Sequence, residues 1–383
     1  MTSENRKCRI AVLCGGRSGE HEVSLLSARS IIEALDPDRY DLVVVGIQKD
    51  GQWRLQTDPQ YLLSQSDART IHLDPTGPRV VLPADPKLHG LLVTDDDPSL
   101  RSAPSRHGKL PVMPLDVVFP VLHGPYGEDG TVQGLLELAG IAYVGAGVLG
   151  SAVGMDKDVM KRLLRDAGIP IPRFQVVYQR RWLREPQKCQ DAVWDHFSPP
   201  VFVKPANLGS SVGITKVQTA TDLGRALDTA FQHDTKVLVE EAIEGREIEC
   251  SVLGDEESRA SLPGEIIPSH EFYSYEAKYL DPDGAQLKIP ADLPEQITGQ
   301  VRQLALATYR TLCCEGMARV DFFLANDGRL LVSEINTIPG FTAISMYPKL
   351  WEASDVSFAQ LLDRLIELAF ERQVRRARLK IEH

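Results

Sequence analysis

Apolar positions along this chain follow two periods, and their alternation predicts layered α and β structure. CRIAVLC (8–14) and DLVVVGI (41–47) are continuous apolar runs, the pattern of strands buried on both faces. Between them a helical period runs over about 20–35, entered through the turn at Gly15-Gly16. Strand, helix and strand in that order predict the start of a doubly wound α/β sheet. LDVVFPVLHG (115–124) predicts a further strand, which feeds the loop GPYGEDG and the helix TVQGLLELAG. Over about 57–115 the pattern loosens into Pro, Asp and Ser with short runs such as RVVLPA, so peripheral strands and loops are expected there.

The glycines over 145–150 mark the first domain boundary. Beyond them a helix is predicted over 155–168, ended by Gly168 and Pro170. PPVFVKPANLGSSVGITKV (199–217) reads as strand, glycine-serine loop, strand; a helix over 221–231 and the strand KVLVEEAI (236–243) complete an α+β unit. A third unit opens at EIECSVLGD and contains the loop HEFYSYEAKYLDPDG, a helix over about 294–312, an acidic hairpin and a terminal helix. The expected domains are 1–145, 146–241 and 242–383, α/β followed by α+β. No repeat is visible, and the polar stretch 180–199 receives no function.

The hairpin RVDFFLANDGRLLVSEINTIPG (319–340) carries the strongest chemical signal. Asp327-Gly328 predicts a two-residue loop with a type I′ turn. If Asn326 pairs with Arg329, then Asp321 lies opposite Glu334 and Arg319 opposite Asn336, and period two puts all four on one face. Directly opposed carboxylates destabilise a strand pair unless a cation lies between them. Oxygens of Asp321, Glu334 and Asn336 suit Mg²⁺ or Mn²⁺, which bind nucleotide phosphates. A solvated hairpin face is the plain alternative, and the apolar flanks argue against it.

Composition narrows the function classes. The 383 residues suffice for two or three domains, and a net charge of −11 offers no extended basic field for nucleic acid. RQVRRARLK (372–380) is read as the solvated end of the terminal helix. Neither a signal peptide nor a membrane-length apolar run is visible, so a soluble cytoplasmic protein with no membrane partner is expected. The six cysteines show no CxxC or zinc spacing and are read as free, buried thiols.

Two lysines could meet anionic phosphate. Lys204 ends an apolar strand just before Gly209-Ser210-Ser211-Val212-Gly213, a loop able to bring backbone N–H groups close to phosphate oxygens. Lys157 opens its helix at the positive end of the dipole, where a cation sits poorly, so it is read as a partner for an anion, with a plain surface lysine as the alternative. LVEEAIEGREIE (238–249) could hold adenine and ribose or be a solvated acidic linker; composition does not choose between them.

Taken together, GGRSGEHEVSL, FPVLHGPYGEDGTVQGLLELAGIAYVG, MDK at 155, VKPANLGSSVGI, VEEAIEGREIE, YSYEAKY at 273, RVDFFL and EINTIPGFTAIS resemble the D-alanine–D-alanine ligases of the ATP-grasp superfamily over nearly the whole chain. The resemblance implies an ATP-grasp fold with an N-terminal doubly wound domain, and ATP-driven joining of two D-alanines through a D-alanyl phosphate. It also implies two Mg²⁺ or Mn²⁺ ions and a homodimer. It makes Asp321, Glu334 and Asn336 metal ligands and puts Lys157, Lys204 and Ser211 at the phosphates. Glu240, Glu241, Ala242 and Ile243 would hold adenine, and Glu247 the ribose. Position 241 is Glu where some relatives have Lys, so only its backbone role carries over. Arg319 and the Gly340 backbone would stabilise the oxyanion, and Glu22 would take the first ammonium with His123 nearby. Lys278 and Ser345 would hold the second carboxylate, while Tyr279, Ser210 and Glu22 would close a loop over the site. Because Tyr279 is retained, an amine acceptor is expected, with D-lactate as the alternative acceptor and another ATP-grasp carboxylate–amine ligase as the nearest competing activity. A non-catalytic nucleotide-binding protein would be favoured by loss of a metal ligand or Arg319, and neither is lost. A Rossmann dehydrogenase is disfavoured, since no proper GxGxxG follows the first strand.

Overall fold

A computed structural model describes residues 6–65, 67, 69–94, 112–268, 285–342 and 344–380. The first sheet runs in the order Trp53–Leu55, Tyr40–Ile47, Cys8–Gly15, Val117–Val121, Ala142–Tyr143, parallel except for its first-named edge strand. The expected helix forms as His21–Ala34. Ile10, Val12, Val117 and Phe119 pack on that helix, whereas Ala11, Leu13 and Val118 pack on Val132 and Leu136 of the helix Thr131–Leu138. Helices therefore cover both faces, which is why both central strands are apolar throughout. The loose stretch supplies a small antiparallel sheet, Val80–Val81, Gly90–Val93 and Val112–Pro114.

The terminal helix Phe358–Ala377 lays Leu361, Leu365 and Leu368 into the first sheet's core, joined by Phe341, Tyr347 and Trp351. The chain's end thus shares a core with its beginning. The basic run is the expected solvated end over 376–380 and departs from that reading before it. Arg372 is buried, donates to the carbonyls of Tyr143 and Gly145, and stacks 4.1 Å from the Tyr143 ring centroid. Arg375 bridges Asp255 at 3.0 Å and Glu315 at 2.6 Å. These arginines are fasteners, paired by acidic residues distant in sequence.

A four-stranded antiparallel sheet, Thr215–Val217, Val201–Pro205, Lys236–Glu241 and Phe174–Tyr178, forms the central unit. The polar stretch 180–199 contributes the helices Gln179–Arg184 and Pro186–Trp194, whose Trp182, Cys189 and Val193 fill that unit's core. The third sheet orders Ala285–Lys288, Gly264–Pro268, Gly245–Leu253, Met317–Ala325 and Leu330–Asn336, backed by Val301, Ala305 and Tyr309 of the helix Glu295–Thr311. All six cysteines are free; Cys14, Cys189, Cys250 and Cys314 are buried, Cys8 is half-buried and Cys313 exposed. Among the described residues no helix is long and apolar enough to cross a membrane.

Candidate active site

The acidic hairpin forms with the expected partners but by a different route. Its loop has three residues, Asn326, Asp327 and Gly328, closed by Gly328 N–H to Ala325 O at 2.8 Å and Ala325 N–H to Arg329 O at 2.9 Å. Asn326 and Asp327 avoid positive φ and Gly328 takes +87°, so the turn is type I with a left-handed glycine, not type I′. Asn326 therefore does not pair with Arg329. Phe322 faces Val332 while Asp321 faces Glu334, leaving Ser333 as a bulge that restores the register. Arg319 then lies opposite Asn336, as expected.

The cation expected between the carboxylates is supplied in part by side chains. Arg319 grips Asp321 with Nε to Oδ1 at 2.7 Å and Nη2 to Oδ2 at 2.8 Å, and Asn336 Nδ2 donates to Asp321 Oδ2 at 3.0 Å. Lys157 Nζ approaches Glu334 Oε2 to 3.6 Å and donates to Leu208 O at 2.5 Å. Glu249, which sequence reasoning passed over, lies across from Asp321 on the neighbouring strand, with Oε2 2.9 Å from Arg319 Nε. Its signal was the two-residue spacing from Glu247, which places both on one face of Gly245–Leu253.

Among the described residues no group of three or more His, Cys, Asp or Glu side chains forms a metal cage. Two carboxylates and one amide nevertheless fit a hard divalent cation that completes its shell with water and phosphate oxygens, the usual state of Mg²⁺ in nucleotide sites.

The central unit brings its cations to the same place. A cleft is lined by Lys157, Leu208, Gly209, Glu334 and Asn336, with Glu128 beside them. Lys204 Nζ donates to Glu240 Oε1 at 2.6 Å, and Lys161 Nζ lies 2.8 Å from Glu240 Oε2. Lys161 and Glu240 are almost fully buried. Burial pushes the Glu240 carboxyl up, but Lys161 and Lys204 outweigh it and hold it below the ordinary range. Glu240 thus spends its side chain on two lysines. The Glu241 side chain is tied to Arg173, with Oε2 2.9 Å from Arg173 Nε. Ala242 and Ile243 form the crossing into Gly245–Leu253, and Glu247 stands on that strand opposite Phe323.

The helix predicted over 155–168 forms as Lys157–Asp166, with a further helix, Val148–Met155, just before it; the two are divided at Asp156, whose Oδ1 caps the second by accepting from Val159 N–H at 3.0 Å. Asp156 also pairs with Lys236 at 2.6 Å. Burial pushes its carboxyl up, but Lys236 and the cap bonds hold it below its ordinary 3.8. A carboxyl that binds its proton less tightly when folded stabilises the fold above its unfolded pKa, and that contribution drains away as pH falls below it. Asp156→Asn keeps the cap and loses the charge. It is expected to cost roughly 1 kcal/mol at pH 7 after solvent screening, with the gap to wild type in urea denaturation narrowing as pH falls below the ordinary carboxylate range.

Glu22 is corrected by the structure. Ser210 Oγ donates to Glu20 Oε1, whereas Glu22 Oε1 accepts from the exposed Lys49 Nζ at 2.6 Å. Glu20 is buried between two glycines: a Cβ on Gly209 would lie 3.0 Å and one on Gly124 3.1 Å from its Oε2. Ser210 of the expected set therefore bonds Glu20 and not Glu22, while Tyr279 and Lys278 lie outside the described residues. Ser210 and Ser211 both take positive φ, +47° and +60°, a strain of order 1–3 kcal/mol each. The Glu20 bond helps to hold that shape.

His123 is buried, with Nδ1 donating to Ile338 O at 3.0 Å and Nε2 3.3 Å from Ser27 Oγ; burial lowers its pKa against the pull of Glu20. Gly340 faces Ser345, since a Cβ there would lie 2.8 Å from Ser345 Oγ. Ser345 Oγ accepts from Thr342 N–H at 3.0 Å. Glu128, another residue the sequence reading passed over, is buried, and burial with the nearby Glu20 pushes its carboxyl up to about 8 against two backbone N–H bonds. A polar glycine loop gave no sign that one of its acids would be interior.

An N-terminal doubly wound sheet, followed by two α+β units that close lysines and a glycine-serine loop over an acidic hairpin, defines a protein of the ATP-grasp class. Residues 9–146 match the D-ala D-ala ligase N-terminus and 163–367 the D-ala D-ala ligase C-terminus. The chain is 46% identical over 374 residues to a D-alanine–D-alanine ligase of Oceanobacillus iheyensis, covering 98% of both chains. It is 50% identical over 366 residues to one from a Thermoanaerobacter species, covering 95% of this chain and 97% of the relative. Among solved structures, the D-alanine-D-alanine ligase from Coxiella burnetii superposes with a TM-score of 0.81 at 38% identity, over 97% of this chain and 96% of that one. The D-Ala:D-Ser ligase VanG from Enterococcus faecalis gives 0.82 at 35%, over 95% and 100%. The chain belongs to the D-alanine–D-alanine ligase family.

Proposed function

We propose that the cleft between the hairpin, Lys157 and the Gly209–Gly213 loop joins two D-alanine molecules at the expense of ATP, giving D-alanyl-D-alanine for peptidoglycan precursors. The chain is an ADP-forming carbon–nitrogen ligase. The observation that carries the residue assignments is convergence: Glu20 of the first unit, the Ser210 loop of the second and the hairpin of the third frame one cleft.

In this reading a carboxylate oxygen of the first D-alanine attacks the γ-phosphorus of ATP, and the bond to the ADP oxygen breaks. The amine of the second D-alanine then attacks the acyl carbon, expelling inorganic phosphate and losing a proton. Asp321, Glu334 and Asn336 would hold Mg²⁺ or Mn²⁺, two ions in all, which offset phosphate charge when bound. Lys157 and Lys204 bind phosphate oxygens, and Glu240, itself held by Lys161, aims Lys204. Ser211 lends backbone to the phosphates, the chain from Glu241 to Ile243 reads adenine, and Glu247 takes the ribose. Glu20 pairs with the first ammonium, in the place expected of Glu22. Arg319 and the Gly340 N–H face the acyl oxygen as its negative charge grows, where preorganised donors contribute most. Ser345 takes the second carboxylate together with Lys278, and Tyr279 closes over the site to keep water from the acyl phosphate. The same reading places a homodimer in the cytoplasm, where ATP is available and thiols stay reduced.

The test is incubation with Mg²⁺, ATP and D-alanine, following phosphate release and product mass, with L-alanine, D-lactate and D-serine as parallel acceptors. Phosphate release is expected to require D-alanine, with dipeptide as the main product at neutral pH. Release without any D-amino acid overturns the ligase reading; an excess of depsipeptide overturns the amine acceptor.

A further inference from the structure

The segment that links the hairpin to Gly340 is held at Ile338 by two side chains of the first unit. Ile338 N–H donates to Glu128 Oε1 at 3.1 Å, and Ile338 C=O accepts from His123 Nδ1 at 3.0 Å. The other Glu128 oxygen, Oε2, accepts from Gly124 N–H at 2.8 Å, next to His123 itself. Beyond Gly340, Phe341 N–H donates to Ser27 Oγ at 3.2 Å. One residue is therefore gripped through both its N–H and its C=O, in the two successive peptide groups that flank it, two residues after Asn336 and two before Gly340. The chemistry described above gives Glu128 no step. A buried carboxyl is costly to keep without a use for both oxygens, and here each oxygen meets one N–H, from different units of the fold.

We propose that Glu128 is a positioning residue which, through the Ile338 backbone, sets the Gly340 N–H against the acyl oxygen. The inference rests on the ligase reading of the same cleft. It requires two acceptor oxygens, which a carboxyl provides in either protonation state. An amide has one acceptor, and its NH₂ would face a backbone N–H. Because the oxyanion develops only at the transition state, the loss falls on kcat and not on nucleotide binding.

Wild type is assayed first for D-alanine-dependent ADP formation; its absence would count against the ligase reading alone. Glu128→Gln is then expected to lower kcat about 10- to 100-fold with KM for ATP within about twofold, as displaced catalytic groups do. Glu128→Asp, which keeps both acceptors on a shorter stem, should recover part of that loss. Hydrogen exchange of the Ile338 amide, followed in peptides spanning 331–342, should be faster in Glu128→Gln. The proposal is overturned by kcat within twofold of wild type, by KM for ATP rising as far as kcat falls, or by unchanged Ile338 exchange. Should Glu128→Gln not fold, Glu128→Asp carries the same measurements: intermediate kcat and exchange support the clamp, and wild-type values for both overturn it.

Discussion

Glu20→Gln is expected to lower kcat/KM for D-alanine by about 10²- to 10³-fold, while Glu22→Gln stays within about threefold of wild type. Two acids stand two residues apart at the start of one helix, and their surroundings differ completely. Glu20 is buried between Gly124 and Gly209, bonded to Ser210 and close enough to His123 to pull on its proton. Losing one partner of a buried, charge-assisted pair costs about 2–5 kcal/mol, which sets the magnitude. Glu22 meets an exposed Lys49, and pairs of that kind contribute about 0–1 kcal/mol. Steady-state kinetics of both variants over a D-alanine series decides between them, and the reverse order would restore Glu22 to the site.

Sequence alone could not separate these two acids, because either suits the first turn of a helix and the choice depends on a loop from another unit. The hairpin teaches a different lesson. Its functional pairs came out as expected because two one-residue departures cancel: the loop is one residue longer than the Asp-Gly signal implied, and Ser333 bulges. The bulge was legible in principle. Leu330, Val332 and Ile335 enter one core, and strict alternation cannot place Val332 and Ile335 on the same face without an extra residue between them. Apolar periodicity gave the strands and helices because it records burial against neighbouring layers. It carried nothing about Arg372, Glu128 or Lys161, charged residues that become interior through partners far along the chain. Glu240 shows the limit most plainly: an acid next to an expected adenine site has its side chain between two lysines.

Arg319→Lys is expected to lower kcat by about 10²- to 10³-fold, the usual cost of removing one oxyanion donor, with KM for ATP changed by no more than about threefold. The substitution keeps the charge, so the loss reports geometry. A guanidinium presents a planar fork, whereas an ammonium is a point charge on a shorter reach. Here the fork is set by two acids on adjacent strands, Asp321 through both of its oxygens and Glu249 at 2.9 Å from Nε. Glu249 gives the side chain an anchor that does not depend on Asp321, so Arg319 can stay on this face of the sheet while Asp321 serves a divalent cation. A lysine cannot reproduce the two-pronged grip on Asp321, and it would lose the aim towards the acyl oxygen that the ligase reading requires. Measuring kcat and both KM values for the lysine variant settles the point. A kcat within threefold of wild type would reduce Arg319 to the counter-ion of Asp321 and remove it from the chemistry.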